Sequence, residues 1–162
     1  MNLTRKRCGV AAAALLALAG CDKPGPLSAA AKGTYPAPPA APAWAASLAG
    51  RPLREAFPNT IQCLGFVDGT SDRYRRARKA YGWAWNRTSA QPIARVAVVD
   101  ADGRMIAFGE GGIPRQDVVQ ARPEVRTPTS GWSAVAPIGK TSTIFGLDAA
   151  TRAACSLGAV TP

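Results

Sequence analysis

At the centre of the chain lies the run Ile93-Ala-Arg-Val-Ala-Val-Val-Asp-Ala-Asp-Gly-Arg-Met-Ile-Ala-Phe108. Its first seven residues are mostly apolar and β-branched, a composition that favours a buried central strand. Asp102-Gly103 is a strong signal for a tight turn between two antiparallel strands. We therefore predict a β-hairpin, and its register pairs Ala97 with Phe108 and Val99 with Ile106.

Short apolar runs separated by Gly and Pro flank this hairpin on both sides. Further strands are predicted at residues 61–67, 80–85, 132–136, 141–145 and 153–160. One short helix is predicted from Pro114 to Ala121, because proline fits a first helical turn and Pro123 ends the helix. The pattern predicts a mainly β fold, a small antiparallel β-sandwich or barrel of six to seven strands with one short helix.

Five motifs follow one another along the chain: Gly65–Asp68, Gly82–Asn86, Val96–Arg104, Phe108–Val118 and Gly131-Trp132. Their order resembles a small bacterial β-domain that is attached to membrane glycosyltransferase-like proteins and to exported proteins. The resemblance covers residues 61–136 and rests on turns, a tryptophan-rich strand and a helix start. It implies an architecture and supplies no catalytic residues.

The N-terminus has the pattern of an export signal. Basic residues up to Arg7 precede an uncharged run from Cys8 to Gly20, which is shorter than the ~20 residues of a membrane-spanning helix. The segment ends in Leu18-Ala-Gly-Cys21, which resembles the lipobox of bacterial lipoproteins. This resemblance implies cleavage before Cys21 and acylation of its thiol and its new N-terminus. The alternative is an ordinary signal peptide with an incidental cysteine.

Three segments are predicted along the chain: a signal peptide at 1–20, a lipidated and disordered tether at 21–52, and a β-domain at 53–162. Residues 22–53 contain 7 Pro and 10 Ala, a composition that favours an extended spacer, although a proline-rich ligand for a partner domain is the alternative. Trp44 and Leu48 could begin a short helix that docks on the domain. A lipidated anchor predicts a periplasm-facing protein, and Asp22 resembles a signal for retention in the inner membrane.

Four cysteines are present, of which Cys8 is removed with the signal and Cys21 is the predicted lipidation site. The remaining pair, Cys63 and Cys155, is predicted to form a disulfide in an oxidising compartment. The alternative is a reactive thiol, but the chain has no C-x-x-C motif and no histidine to activate one.

The formal net charge is +10, and the densest cationic run is Arg73-Tyr-Arg-Arg-Ala-Arg-Lys79. Such a run is either a solvated hairpin end or a contact for anionic lipid, lipopolysaccharide or cell-wall glycan. Alternation places Tyr81, Trp83 and Trp85 on one face of a strand, where indoles could stack on sugar rings. The predicted binding residues are Trp83, Trp85, Arg73, Arg75, Arg76, Arg78 and Lys79, with Trp132 as a further aromatic. Nucleic acid is not expected as a partner of an exported lipoprotein.

The absence of histidine excludes Ser-His-Asp and Cys-His catalysis, and no residue set predicts a metal or cofactor. The favoured hypothesis is a membrane-tethered, non-catalytic binding module. One alternative is an enzyme acting on envelope carbohydrate, with Glu110 and Asp117 as acid or base. Another is an assembly factor for a membrane complex.

Overall fold

The computed structural model describes residues 35–161, so the predicted signal peptide and Cys21 lie outside the described residues. This part of the chain is mainly β, as predicted, but it contains nine strands rather than six or seven. The two additional strands have two residues each, too few for an alternation of apolar and polar residues. The strands are β1 Asn59–Thr60, β2 Cys63–Tyr74, β3 Ala77–Asn86, β4 Gln91–Pro92, β5 Arg95–Val99, β6 Met105–Ile113, β7 Gly131–Pro137, β8 Ser142–Asp148 and β9 Ala153–Val160.

All nine strands belong to one sheet with the order β1-β9-β8-β5-β6-β7-β3-β2, and β4 pairs with β3. The sheet curls into a half-barrel, so that β2 at one edge approaches β9 near the other. Cys63 on β2 and Cys155 on β9 are joined by a disulfide with a Cα–Cα distance of 6.0 Å, which confirms the predicted bridge. In the described residues, β2 and β9 share no backbone ladder, and the disulfide is the covalent link across this seam.

The central hairpin forms with one change in register. Ala97 pairs with Phe108 as predicted, but Val99 pairs with Met105 and not with Ile106. A bulge between Val98 and Val99 produces the shift. A bulge adds one residue to one strand of a pair. The predicted partner of Val99, which follows the bulge, was therefore wrong by one residue.

The concave interior of the sheet is built from small residues around one large one. Ala80, Ala84, Ala134 and Ala136 are buried there with several valines and isoleucines, and Trp132 fills the space between them. Glycine at position 82 allows close packing, because a Cβ there would overlap the Phe66 backbone carbonyl and would lie 2.7 Å from the Trp132 ring. A strongly curled sheet needs such small interior residues to close tightly.

The N-terminal segment covers one part of the outer face. A 3-10 turn at Ala43–Ala45 and helix α1 at Leu53–Ala56 pack over Met105 and Phe108 of β6. The Trp44 ring meets the Phe108 ring edge-on at 5.5 Å. Residues before position 53, which the sequence analysis assigned to the tether, therefore also pack against the sheet, among them Trp44 and Leu48.

Helix α2, Gln116–Ala121, covers a second part of the outer face. Its Val118 is buried against Trp83 and Trp85 of β3. The nine strands, the buried clusters and the disulfide all lie within residues 35–161, so this part of the chain carries its own core. Among the described residues, no helix has the length and apolar character to cross a membrane.

Candidate functional site

The cationic run forms the tip of the hairpin between β2 and β3. Tyr74 pairs with Ala77, so Arg75 and Arg76 form the turn. Arg73 lies at a bulge, where the register shifts between Asp72 and Tyr74. These features expose the side chains of Arg73, Arg75 and Arg76 to solvent.

A second loop extends this cationic surface. The turn between β7 and β8 contains Ile138 and Lys140, and the Ile138 N–H donates to the Arg76 carbonyl oxygen over 3.4 Å. Lys140 is exposed. We call the hairpin tip of residues 73–79 together with the turn of residues 138–141 the basic end.

Most cations of the basic end lack an acidic partner. Among the residues that the structure describes, the four exposed ones form no ion pair: Arg73, Arg75, Arg76 and Lys140. Arg78 is paired with Asp72 at 2.8 Å, and Lys79 is partly buried on the outer face. The neighbouring β5–β6 turn contains the acidic Asp100 and Asp102 and the basic Arg104. Even with these residues counted, cations outnumber carboxylates on this side of the half-barrel.

The N-terminal segment reaches the domain at the basic end. The Arg75 N–H donates to the Pro36 carbonyl oxygen over 2.9 Å. Two large apolar side chains are exposed here, because Tyr35 retains 52% and Ile138 47% of its accessible surface. The surface is therefore amphipathic as well as cationic.

The predicted aromatic part of the site is not on the surface. Trp83 is 4% and Trp85 2% exposed, and Trp132 is buried in the concave interior. Alternation does place Trp83 and Trp85 on one face, but helix α2 covers that face. The indoles are therefore not available for stacking on a sugar, and only the cations of the predicted site are accessible.

The exposed aromatic residues of β2 and β3 were not among the predicted binding residues, although the sequence analysis placed Tyr81 on the shared face. Phe66 on β2 is about half exposed and packs edge-on against Trp83, with 5.7 Å between the ring centroids. Tyr81 on β3 is also exposed. The alternation of residues predicts which side chains share a face of a strand. It does not predict which of them a helix from a distant part of the sequence will cover.

The two carboxylates of the enzyme alternative have different surroundings. Asp117 accepts two hydrogen bonds from the Arg115 guanidinium, at 2.9 and 2.7 Å, and Arg115 also binds Asp68. The hydrogen bond from Arg115 holds the pKa of Asp117 below its usual value. Asp117 is therefore held as the carboxylate, which does not suit a general acid. Glu110 is exposed on β6 opposite Ser133 of β7.

No family model, curated protein or solved structure matches the chain. Within residues 35–161, no group of three His, Cys, Asp or Glu side chains is placed to hold a metal ion. The charge and the exposure of the basic end are therefore the features that bear on function.

Proposed function

We propose that this chain is a lipid-anchored bacterial envelope protein whose β-domain is a non-catalytic binding module for anionic groups. One observation carries the proposal: the basic end presents four exposed cations that have no ion-pair partner in the described residues. Phosphate and carboxylate groups of lipids or envelope polymers are the matching ligands. Guanidinium groups suit them well, because their planar donors can form two parallel hydrogen bonds.

The backbone at Arg76 offers a way to test the proposal. Its φ is +60°, in the left-handed region that costs a non-glycine residue about 1 kcal/mol or more. Glycine would adopt this conformation without that cost. Arg76→Gly can therefore remove the charge without destabilising the turn. A left-handed φ is not specific to Arg76, because Ala90 and Arg152 also have one.

The anchor is proposed from Leu18-Ala-Gly-Cys21 and from the basic and apolar segments before it. Several acyl chains would hold the domain stably at a membrane, where one chain gives only marginal binding. The periplasmic face follows from export, and Asp22 favours the inner membrane. The resemblance to bacterial β-domains of exported proteins agrees with this location.

The anchor is tested by Cys21→Ser. We expect the variant to lose acylation and to leave the membrane fraction, because the thiol is the acylated group. Cell fractionation and the mass of the mature N-terminus measure both effects, and Cys8→Ser is the control that should change neither. A Cys21→Ser protein that stays in the membrane and is processed at the same position would contradict the anchor.

Anion binding is tested on the folded part of the chain, residues 35–162, with phosphatidylglycerol vesicles as the probe. The triple variant Arg73→Glu, Arg75→Glu, Arg76→Glu should weaken binding by on the order of 100-fold, since each cation near an anionic surface contributes about 1 kcal/mol. Vesicle co-sedimentation at several salt concentrations gives the affinity. Binding should weaken as salt increases.

The matched control reverses three exposed arginines elsewhere, with Arg87→Glu, Arg122→Glu and Arg126→Glu. It makes the same change in net charge and should affect binding far less. Arg76→Gly separates folding from binding, because it should stabilise the domain by about 1 kcal/mol while weakening binding. Equal losses in the two triple variants would contradict a localised site, and no binding by the unaltered domain would contradict the proposed function.

A further inference from the structure

We infer that the basic end is a membrane-docking surface, on which the anchored protein rests against an anionic bilayer with Tyr35 and Ile138 at the headgroup level. The inference depends on the proposed function and adds one partner, a lipid surface, and one orientation. Three independent features of the described residues support it.

The first feature is the place where the chain enters the domain. Pro36 is hydrogen-bonded to the hairpin tip at Arg75, so the residues that lead back to Cys21 start from the basic end. The 14 steps from residue 21 to residue 35 can span at most about 50 Å, because a fully extended chain advances no more than ~3.3–3.6 Å per residue. An anchor at Cys21 therefore keeps the basic end within this distance of the bilayer.

The second feature is the mixture of side chains. Tyr35 and Ile138 are about half exposed beside Arg75, Arg76 and Lys140. Binding a soluble polyanion requires only the cations. A bilayer interface also accommodates apolar side chains below the headgroups, and tyrosine is suited to that depth because it has an apolar body and a polar tip.

The third feature is the contrast with the opposite end of the half-barrel. There, the connections that leave β3, β6 and β8 contain both signs of charge, and one of their arginines, Arg115, is paired with Asp68 and Asp117. The charged residues of these connections are Arg87, Arg115, Arg122, Arg126, Arg152, Asp117, Glu124 and Asp148. The anionic surface of a membrane attracts the more positive end and gains less from the mixed one. Charge and tether therefore favour the same orientation.

The test uses the full chain, purified from membranes with its N-terminal modification and reconstituted into phosphatidylglycerol vesicles that contain brominated lipid. Ile138→Trp places a fluorescent reporter at the basic end, and Ile113→Trp places one on a similarly exposed isoleucine at the far end of β6. Contact with the bilayer should quench the reporter at position 138 at least twofold more than the reporter at position 113. The four native tryptophans give the same background in both variants, three of them buried (Trp83, Trp85 and Trp132) and one, Trp44, partly buried.

Quenching at position 138 should fall to the level of position 113 in phosphatidylcholine vesicles, or when Arg73, Arg75 and Arg76 are replaced by Glu. Equal quenching at both positions in phosphatidylglycerol would overturn the docking surface. So would a chain that is not acylated at Cys21, because the tether would then impose no orientation. If residues 35–162 still bind anionic vesicles through these arginines, or bind soluble polyphosphate instead, the proposed function survives while the docked orientation fails.

Discussion

Replacing Cys63 and Cys155 by alanine should lower the melting temperature of the domain by about 15 °C while leaving its strand content unchanged. The disulfide closes a loop with a sequence separation of 92 residues. In the chain-entropy model, a bridge over a loop of this size stabilises the folded state by roughly 4–5 kcal/mol. A loss of that size is a large part of the stability of a domain this small.

The position of the bridge supports a large effect. It joins β2 to β9 across the seam of the half-barrel, where the two strands share no ladder of backbone hydrogen bonds in the described residues. The strands also lie far apart in sequence, so no short turn holds them together. Without the bridge, Ile61 and Val67 still pack on the buried interior residues near the seam, and β1 still pairs with β9 over two residues. The Ile61 N–H also donates to the Ala154 carbonyl oxygen over 3.3 Å.

Thermal and denaturant unfolding of residues 35–162 measure the loss, and mass spectrometry of the alkylated, unreduced protein confirms the bridge before the variants are compared. The reduced unaltered protein is the control, because it keeps both side chains and lacks only the covalent link. It should melt close to the Cys63→Ala, Cys155→Ala variant. A difference of less than about 3 °C between oxidised and reduced protein would show that the seam is stable without the bridge.

The strands that were predicted well are those whose residues carry a strong local signal. β9 has the predicted bounds, from Ala153 to Val160, and α2 ends at Ala121 before the predicted stop. The central hairpin formed because its strands are apolar and its turn contains Asp102-Gly103. The two-residue strands β1 and β4 were missed, since their pairing depends on where distant strands place them.

The candidate site was predicted in part for a similar reason. A dense run of cations beside a turn is a local feature, and the structure exposes it at the tip of the β2–β3 hairpin. The burial of Trp83 and Trp85 depends on α2, which lies more than 30 residues later in the chain. Likewise, nothing in the sequence indicates that Lys140 belongs to the same surface, because a long-range contact between Ile138 and Arg76 brings the two loops together.

Gly82→Ala should prevent the domain from folding, or destabilise it by at least about 3 kcal/mol. Gly82 pairs with Val67 of β2 and with Trp132 of β7, so a paired strand lies on each side of it. A Cβ there would lie 2.7 Å from the Trp132 ring and would also overlap the Phe66 backbone carbonyl. A side chain can rotate away, but the Phe66 carbonyl belongs to the long β2–β3 ladder and cannot move without disturbing that pairing. Overpacking of this kind therefore belongs at or beyond the upper end of its usual cost of 1–3 kcal/mol.

Gly69→Ala is the matched control, since Gly69 lies on the adjacent strand and its added Cβ would meet only the Tyr81 side chain, at 3.1 Å. The Tyr81 ring is exposed and its hydroxyl end can shift, so we expect the control to cost less than about 1 kcal/mol. Soluble yield and denaturant midpoints of the two variants measure the difference. Adding Trp132→Phe to Gly82→Ala removes the overlap with the indole and leaves the overlap with the Phe66 carbonyl, so it should not restore folding. A stable Gly82→Ala protein with the unaltered midpoint would show that β2 and β3 are not held as closely as this register requires.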